Sequence, residues 1–425
     1  MDTTTTGRLG VGLDSDPNVS DLLTSLNARM AEADRRVARK YPGDDGIPQP
    51  IHTVYIPGGT YSAETPSSWG RTALSMLEAV GSPELLAGIL GVPEQLAAEV
   101  LPRVRSKLAT EPIEDLRVDF EDGFGQRGDV AEDNAVAETA ARLSMAADQG
   151  LAPRSWGIRF KSLEMVTRER GVRTLTQFLT AVSRNGILTA SCMVTLPKVT
   201  DVSQVAAMAH VCDYVEKDLG LKQGSVRFEI QMETPQSIIS HDGTIAVPAL
   251  LQAADGRCAS LHYGTYDYTA SCGIAAPYQS MDHPASDFAK DVMQVSVAGT
   301  GVRLCDGATI EYPVGTEKQI RQALGLHARL VRRSLERGYY QGWDMHPGQL
   351  VTRFAATFAF YRQGFFPAAD RIAKYMANPA SSNDEPATIR ALAGFVRRGY
   401  QCGAVTEIEV RDATGSSPEH LIELS

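Results

Sequence analysis

Eight short apolar runs, each followed by a longer amphipathic stretch, constrain this chain more than any other feature. The runs are HTVYIP (52–57), LRVDF (116–120), WGIRF (156–160), CMVTLP (192–197), VRFEIQM (226–232), CASLHYG (258–264), GVRLC (301–305) and GWDMH (342–346). Between them lie segments such as VAEDNAVAETAARLSMAADQ, DVSQVAAMAHVCDYVEKDLG and TEKQIRQALGLHARLVRRSLERG. Their apolar residues recur at three- and four-residue spacing, which predicts helices that bury one face. Strand–helix alternation implies a parallel sheet, and eight such units predict an α/β fold closed into a (β/α)8 TIM barrel. An open doubly wound sheet is the alternative that the same alternation permits.

The barrel is expected over 51–366. Residues 1–50 are polar, carry one helical pattern from about Ser20 to Arg39 and end in YPGDDGIPQP, which reads as an N-terminal arm and linker. Residues 58–115 form too long a connection for one helix, so a helical insertion with an extra pair of helices is predicted after the first strand. From 367 to 425 the alternation stops. EPATIRALAGFVRRGYQ predicts a small C-terminal helical extension there.

Composition narrows the function classes. The 51 acidic against 41 basic side chains give a net charge of −10 without a long basic run, which argues against a nucleic-acid partner. The six cysteines (Cys192, Cys212, Cys258, Cys272, Cys305, Cys402) are scattered with no CxxC, so neither a disulfide framework nor a zinc site is indicated, and a cytoplasmic location is expected. No apolar stretch approaches the roughly 18 residues of a membrane span, and MDTTTTGRLGVG lacks the basic-then-apolar order of a leader. No membrane partner is expected.

Barrels of this kind carry their reactive groups where strands end and loops begin. Those junctions hold Asp119, Glu121 and Asp122 in VDFEDG, Arg159, Lys198 in LPKVT, Glu233 in METPQ, Gly264 and Asp267 in YGTYDYTASCG, Asp306 and His346. Glu233 and Asp267, at the ends of successive strands, are hard oxygen donors that suit Mg2+ (or Mn2+) completed by water and substrate oxygens. Blander roles are open to each. Glu233 could cap the helix that Thr-Pro begins, Asp267 could be a solvated loop carboxylate, Lys198 an ion-pair partner of the rim, and His346 a buried, hydrogen-bonded histidine. Glycines around Asp267 would let backbone amides approach a small anion.

These motifs, in this order, resemble the HpcH/HpaI aldolase and citrate lyase beta-subunit superfamily, to which malyl-CoA lyases and malate synthases are related. The resemblance covers roughly 51–365. VDFEDG is similar to its second-strand D-L-E-D segment, LPKV to its fourth-strand motif, METPQS to I-E-T-P, YGTYDYTASCG to F-G-x-x-D-L-x-x-x-L-G and MHPGQ to I-H-P-x-Q. The resemblance implies a magnesium-dependent carbon–carbon lyase that makes or breaks a bond between a 2-oxo acid and an enolate, with an acyl-CoA as one source of the enolate, in a homo-oligomer. It implies that Glu233 and Asp267 ligate the metal, with Asp119, Glu121 and Asp122 near its waters. Arg159 would face the oxygen that gains charge. The amides of Gly264, Thr265 and Tyr266, with Thr234, would receive the substrate carboxylate. Lys198 and Asp122 join Arg159 as catalytic candidates, and Asp122, Asp306 and Asp412 are candidate bases. Two alternatives stand beside it: a malate-synthase-like condensation of glyoxylate with acetyl-CoA, and an inactive barrel that serves as a binding or subunit protein. The sequence departs from the patterns at Thr265, where the malate synthase motif has Arg, and at Thr200, where the citrate-lyase-like motif has Glu. An Arg expected before the first strand is also absent, with Ile51 and His52 in its place.

Overall fold

The structure is a computed structural model that describes residues 17–379 and 384–424; the first sixteen residues of the expected arm lie outside the described part. Of the described residues, those from 17 to 45 with Gly299–Gly301 form one compact unit, and Gly46–Ala298 with those from Val302 on form another. The first unit contains helix α1 (Pro17–Lys40).

The second unit begins with strand β1 (His52–Pro57), followed by the inserted helices α2 (Thr65–Val80), α3 (Pro83–Leu90) and α4 (Glu94–Thr110). Strand and helix then alternate: β2 (Asp115–Asp119), α5 (Asp129–Asp148), β3 (Ser155–Arg159), α6 (Arg168–Arg184), β4 (Cys192–Leu196), α7 (Val202–Leu219) and β5 (Arg227–Met232). Two short helices, α8 (Pro235–Ile238) and α9 (Val247–Ala253), lead to β6 (Cys258–Tyr263). α10 (Thr265–Ser271), α11 (Pro284–Val297), β7 (Arg303–Cys305), α12 (Glu317–Glu336) and β8 (Gly342–Asp344) complete the repeat. Four helices end the chain: α13 (Gln349–Ala377), α14 (Pro386–Gln401), α15 (Glu407–Thr414) and α16 (His420–Leu424).

The eight strands pair in parallel in the order β7-β6-β5-β4-β3-β2-β1-β8. The ring closes where Cys305 bridges Gln341 and the Asp306 amide donates to the Gln341 carbonyl (2.8 Å). This is the expected α/β barrel. Local signals place its helices: capping boxes Asp201/Gln204 and Thr316/Gln319 start α7 and α12, and Gly220 at φ 65° stops α7. Strand β8 ends at Asp344 because the Met345 and His346 amides turn to donate to Gln349 Oε1 (2.8 and 3.1 Å).

Alternate strand residues divide between two surroundings. Val54, Ile56, Leu116, Val118, Ile158, Val194, Leu196, Phe228, Ile230 and Leu261 join the apolar layer under the helices. The other face is polar: Arg117 donates to Glu229 from Nε (3.0 Å) and Nη2 (2.7 Å), Thr195 to Glu229 (2.5 Å) and Thr53 to Asp115 (2.8 Å). Such groups tolerate burial because each finds a partner across the barrel.

The boundary expected at 366/367 falls inside α13. Pro367 forfeits one helical hydrogen bond, yet Phe365, Ala368, Ala369 and Ile372 around it are buried against Val396, Val405, Val410 and Leu421 of the following segment. Among the described residues no single helix is long and apolar enough to cross a membrane.

Candidate active site

The ends of β2 to β6 bring one cluster of charged side chains together. β2 stops at Asp119, and the chain turns through the buried Phe120. The Asp119 carboxylate folds back on that turn, accepting from the Glu121 amide (2.9 Å) and the Gly123 amide (2.8 Å). A Cβ on Gly123 would lie 2.6 Å from Asp119 Oδ2, so the turn requires glycine. Glu121 and Asp122 are thereby held over the rim.

Arg159, at the end of β3, is paired in register with Asp119. Its Nε and Nη2 donate to the two Asp119 oxygens (2.8 and 2.5 Å), and Nη1 donates to Gln231 Oε1 (3.2 Å). The Tyr55 ring lies 5.1 Å from the guanidinium carbon. Three of five N–H donors are committed, and Nη1 is also 3.4 Å from Glu121 Oε2. Burial alone would lower the Arg159 pKa; the charge and hydrogen bonds of Asp119, with Glu121 and Tyr55 adding to them, together outweigh it and hold the group well above its ordinary value.

Lys198, just past β4, has φ 50°, in the left-handed region that residues with a Cβ seldom occupy. Its amide donates to Glu233 Oε1 (2.7 Å). Its ammonium meets Glu121 Oε1 (3.0 Å), Asp122 Oδ2 (3.1 Å) and Asp267 Oδ1 (3.5 Å). Partial burial would lower its pKa, but Glu233, Glu121, Asp267 and Asp122 together raise it.

Glu233 follows β5 and is fully buried. Its second oxygen accepts from Gln231 Nε2. Capping is not its role: Thr234 caps α8 by accepting from the Ser237 amide (3.2 Å) while donating to the Val199 carbonyl. Burial raises the Glu233 pKa well above the ordinary carboxylate range, with Asp267 and Glu121 adding to the rise and Arg159 and Lys198 opposing it. Burial likewise brings Glu121 up to about 7. Asp122 moves the other way, because hydrogen bonding to Glu121 and the charges of Arg159 and Lys198 overcome its desolvation.

Gly264 explains one glycine differently from the sequence expectation. A Cβ there would sit 2.5 Å from Glu233 Cβ and 3.0 Å from Glu233 Oε2, so this position is glycine to admit the Glu233 side chain. Its amide is used in the sheet, donating to the Met232 carbonyl (3.0 Å), and does not face an anion. Gly273, at φ 74° with open space around it, serves the turn after α10.

Seven of the sequence-predicted residues therefore share one place: Asp119, Glu121, Asp122, Arg159, Lys198, Glu233 and Asp267. Others do not join them. Tyr266 accepts from the Ile310 amide (2.9 Å), and Thr265 is buried with its hydroxyl against Gly307. Asp306 is buried against Lys290 (3.1 Å) and Ser334 (2.6 Å). His346 accepts from the Gly348 amide (3.0 Å) and stacks on Tyr312, as a turn-building residue does. Asp412 is exposed on α15, a helix tied through Glu409 to Arg362 (2.6 Å); Arg362 lies roughly 20 Å along α13 from the rim at 1.5 Å per residue.

Gln231 went unnoticed in the sequence, although it links Arg159 to Glu233. Its signal was the two-residue period of Glu229 and Gln231 in β5 with Glu233 just beyond it, which predicts one shared face for an extended segment.

The donor set is compatible with a hard divalent cation. Glu233 and Asp267 offer carboxylate oxygens, and Mg2+ commonly takes only one or two from the protein and keeps waters. Burial raises the Glu233 pKa more than the charges of Arg159 and Lys198 lower it, so its ionised form is disfavoured without a further cation. Among the described residues no three His, Cys, Asp or Glu side chains are spaced to close on a metal by themselves.

Haloferax volcanii malate synthase, in its lead(II) complex, superposes with a TM-score of 0.49 at 14% identity, over 88% of this chain and 98% of that one. Its magnesium/glyoxylate complex gives 0.47 at 14% identity, over 88% and 97%. An HpcH/HpaI aldolase/citrate lyase family protein from Burkholderia cenocepacia J2315 gives 0.39 at 13% identity, over 72% and 91%. No curated protein matches the chain in sequence. A family model described as a domain of unknown function, DUF6986, matches residues 30–425, and the chain belongs to that family.

Proposed function

We propose that this protein is a metal-dependent carbon–carbon lyase or condensing enzyme that acts between a 2-oxo acid and an enolate. One observation carries the reading: the ends of five successive strands converge on a buried Glu233, a half-exposed Asp267 and a fixed Arg159. The motif resemblance of VDFEDG, METPQS and YGTYDYTASCG supports it independently.

Glu233 and Asp267 would hold Mg2+ or Mn2+, which when bound supplies Lewis-acid polarisation and a template for the 2-oxo acid. Arg159 supplies fixed positive charge for the oxygen that becomes anionic. Its permanently charged, planar fork is set by Asp119 and Gln231 before substrate arrives, so little reorganisation opposes the reaction. Glu121, nearly buried and brought up to about 7, is the carboxyl suited to hold or release a proton near neutral pH. Asp122, held ionised by Lys198 and Arg159, is better suited to orient the ammonium than to shuttle protons. Lys198 balances the acidic cluster until the cation binds.

The test is a screen with Mg2+ of pyruvate, oxaloacetate and glyoxylate against acyl-CoA thioesters in the condensing direction, and of 2-hydroxyacyl and 4-hydroxy-2-oxo acids in the cleaving direction. Thiol release or carbonyl formation that chelator abolishes is the expected result. Glyoxylate with acetyl-CoA as the sole productive pair would select the malate-synthase-like version. Turnover indifferent to chelator, or none with any pair, would sink the proposal.

A further inference from the structure

We infer that α1 is a self-association element that pairs with α1 of a second copy of this chain as a parallel coiled coil. Along the helix, Val19, Leu23, Leu26, Met30, Ala33 and Val37 follow one another at steps of four, three, four, three and four residues. That is the d-and-a pattern of a coiled-coil seam, carried without interruption through the helix.

Within its own unit, among the described residues, the seam is exposed. Val19, Leu23, Leu26, Met30 and Val37 are 45–54% exposed, and Leu22 beside them is 57% exposed. Most of the stability of a helix in a protein comes from packing its apolar face. The face therefore calls for an occupant.

Charge selects that occupant. With Leu23, Met30 and Val37 at a, Arg29 falls at g and Asp34 at the following e. In a parallel pair, each g residue meets the partner's e residue five positions on, so Arg29 meets the partner's Asp34, and the two-fold axis repeats the contact. In the antiparallel pair that matches the same layers, Leu23 opposes the partner's Ala33 and Arg29 opposes the partner's Arg29. The helix thus complements itself in one orientation and repels itself in the other. A lipid surface fits less well: Asp21, Glu32 and Asp34 interrupt the basic side chains, and the helix contains no Trp, Tyr or Phe to anchor at an interface.

The experiment uses the full chain and compares wild type with Leu23→Glu/Leu26→Glu by sedimentation equilibrium, with thermal melts of both to show that the barrel is intact. Wild type should self-associate, and the double variant should lose about tenfold or more in association constant. Orientation is read by disulfide trapping in a Cys272→Ser background, since Cys272 is the exposed cysteine. Met30→Cys alone should form a covalent dimer, because an a residue meets its own counterpart only in parallel register. A monomeric wild type, or unchanged association in the double variant, would overturn the inference. So would cross-linking that needs Met30→Cys mixed with Leu26→Cys, or co-flotation with phosphatidylserine vesicles that the double variant abolishes.

Discussion

Glu229 within β5 and Glu233 just past its end stand four residues apart, both essentially without exposure, and their environments treat them oppositely. Burial raises the pKa of each. At Glu229 the fork of Arg117 and His262 (3.1 Å) reverse that and drive it far below the ordinary range. At Glu233 the nearby cations do not suffice, and the group stays high. The lower carboxylate is a finished structural pair inside the barrel. The upper one lies at the rim with a raised pKa, the kind of perturbation by which functional sites are sought.

Exchanging each glutamate for its neutral isostere should break the comparison in opposite directions. Glu233→Gln should cut kcat/KM by roughly 10³-fold or more while the melting temperature holds or rises, because the amide is a neutral isostere at a site where burial disfavours the ionised carboxylate. Wild-type turnover in that variant would show that the rim carboxylate is only structural. Glu229→Gln should instead cost about 3–5 kcal/mol in denaturant unfolding, since Arg117 is left buried with less than its partner. A stable Glu229→Gln would mean that Asp115, 2.5 Å from Arg117 Nη1, carries that charge alone.

Two smaller effects sharpen the rim side. Arg159→Lys should lower kcat by about 10²-fold with KM little changed, as for a donor that matters most in the transition state; a rise confined to KM would place Arg159 in ground-state binding instead. Lys198→Met should bind Mn2+ about tenfold more tightly by calorimetric titration, because an ammonium among carboxylates competes with an added cation. Weaker binding would show that Lys198 instead draws the ligands into place.

Much of the barrel was legible because strand and helix differ in period, and because turns and caps are local. The eight runs, the extra helices after β1 and the helix at EPATIRALAGFVRRGYQ need no distant partner to be read. The rim carboxylates were legible for a related reason: a strand's end fixes which rim its next residues occupy. Other features were not. Gln231 looked like any strand residue until Arg159 and Glu233 stood on either side of it, and Asp306 looked like a rim acid although Lys290 and Ser334 hold it beneath α11 and α12.

By itself, then, the sequence determined the number and order of the strands, the placement of charge at their ends and the seam along α1, since each follows from periodicity over neighbouring residues. Only the tertiary structure decided which charges are satisfied. Satisfaction depends on groups far apart in the chain, such as Arg117 with Glu229 and Lys198 with Glu121, and on how far burial removes water from them. That is why two glutamates four residues apart in the chain differ so widely in their surroundings.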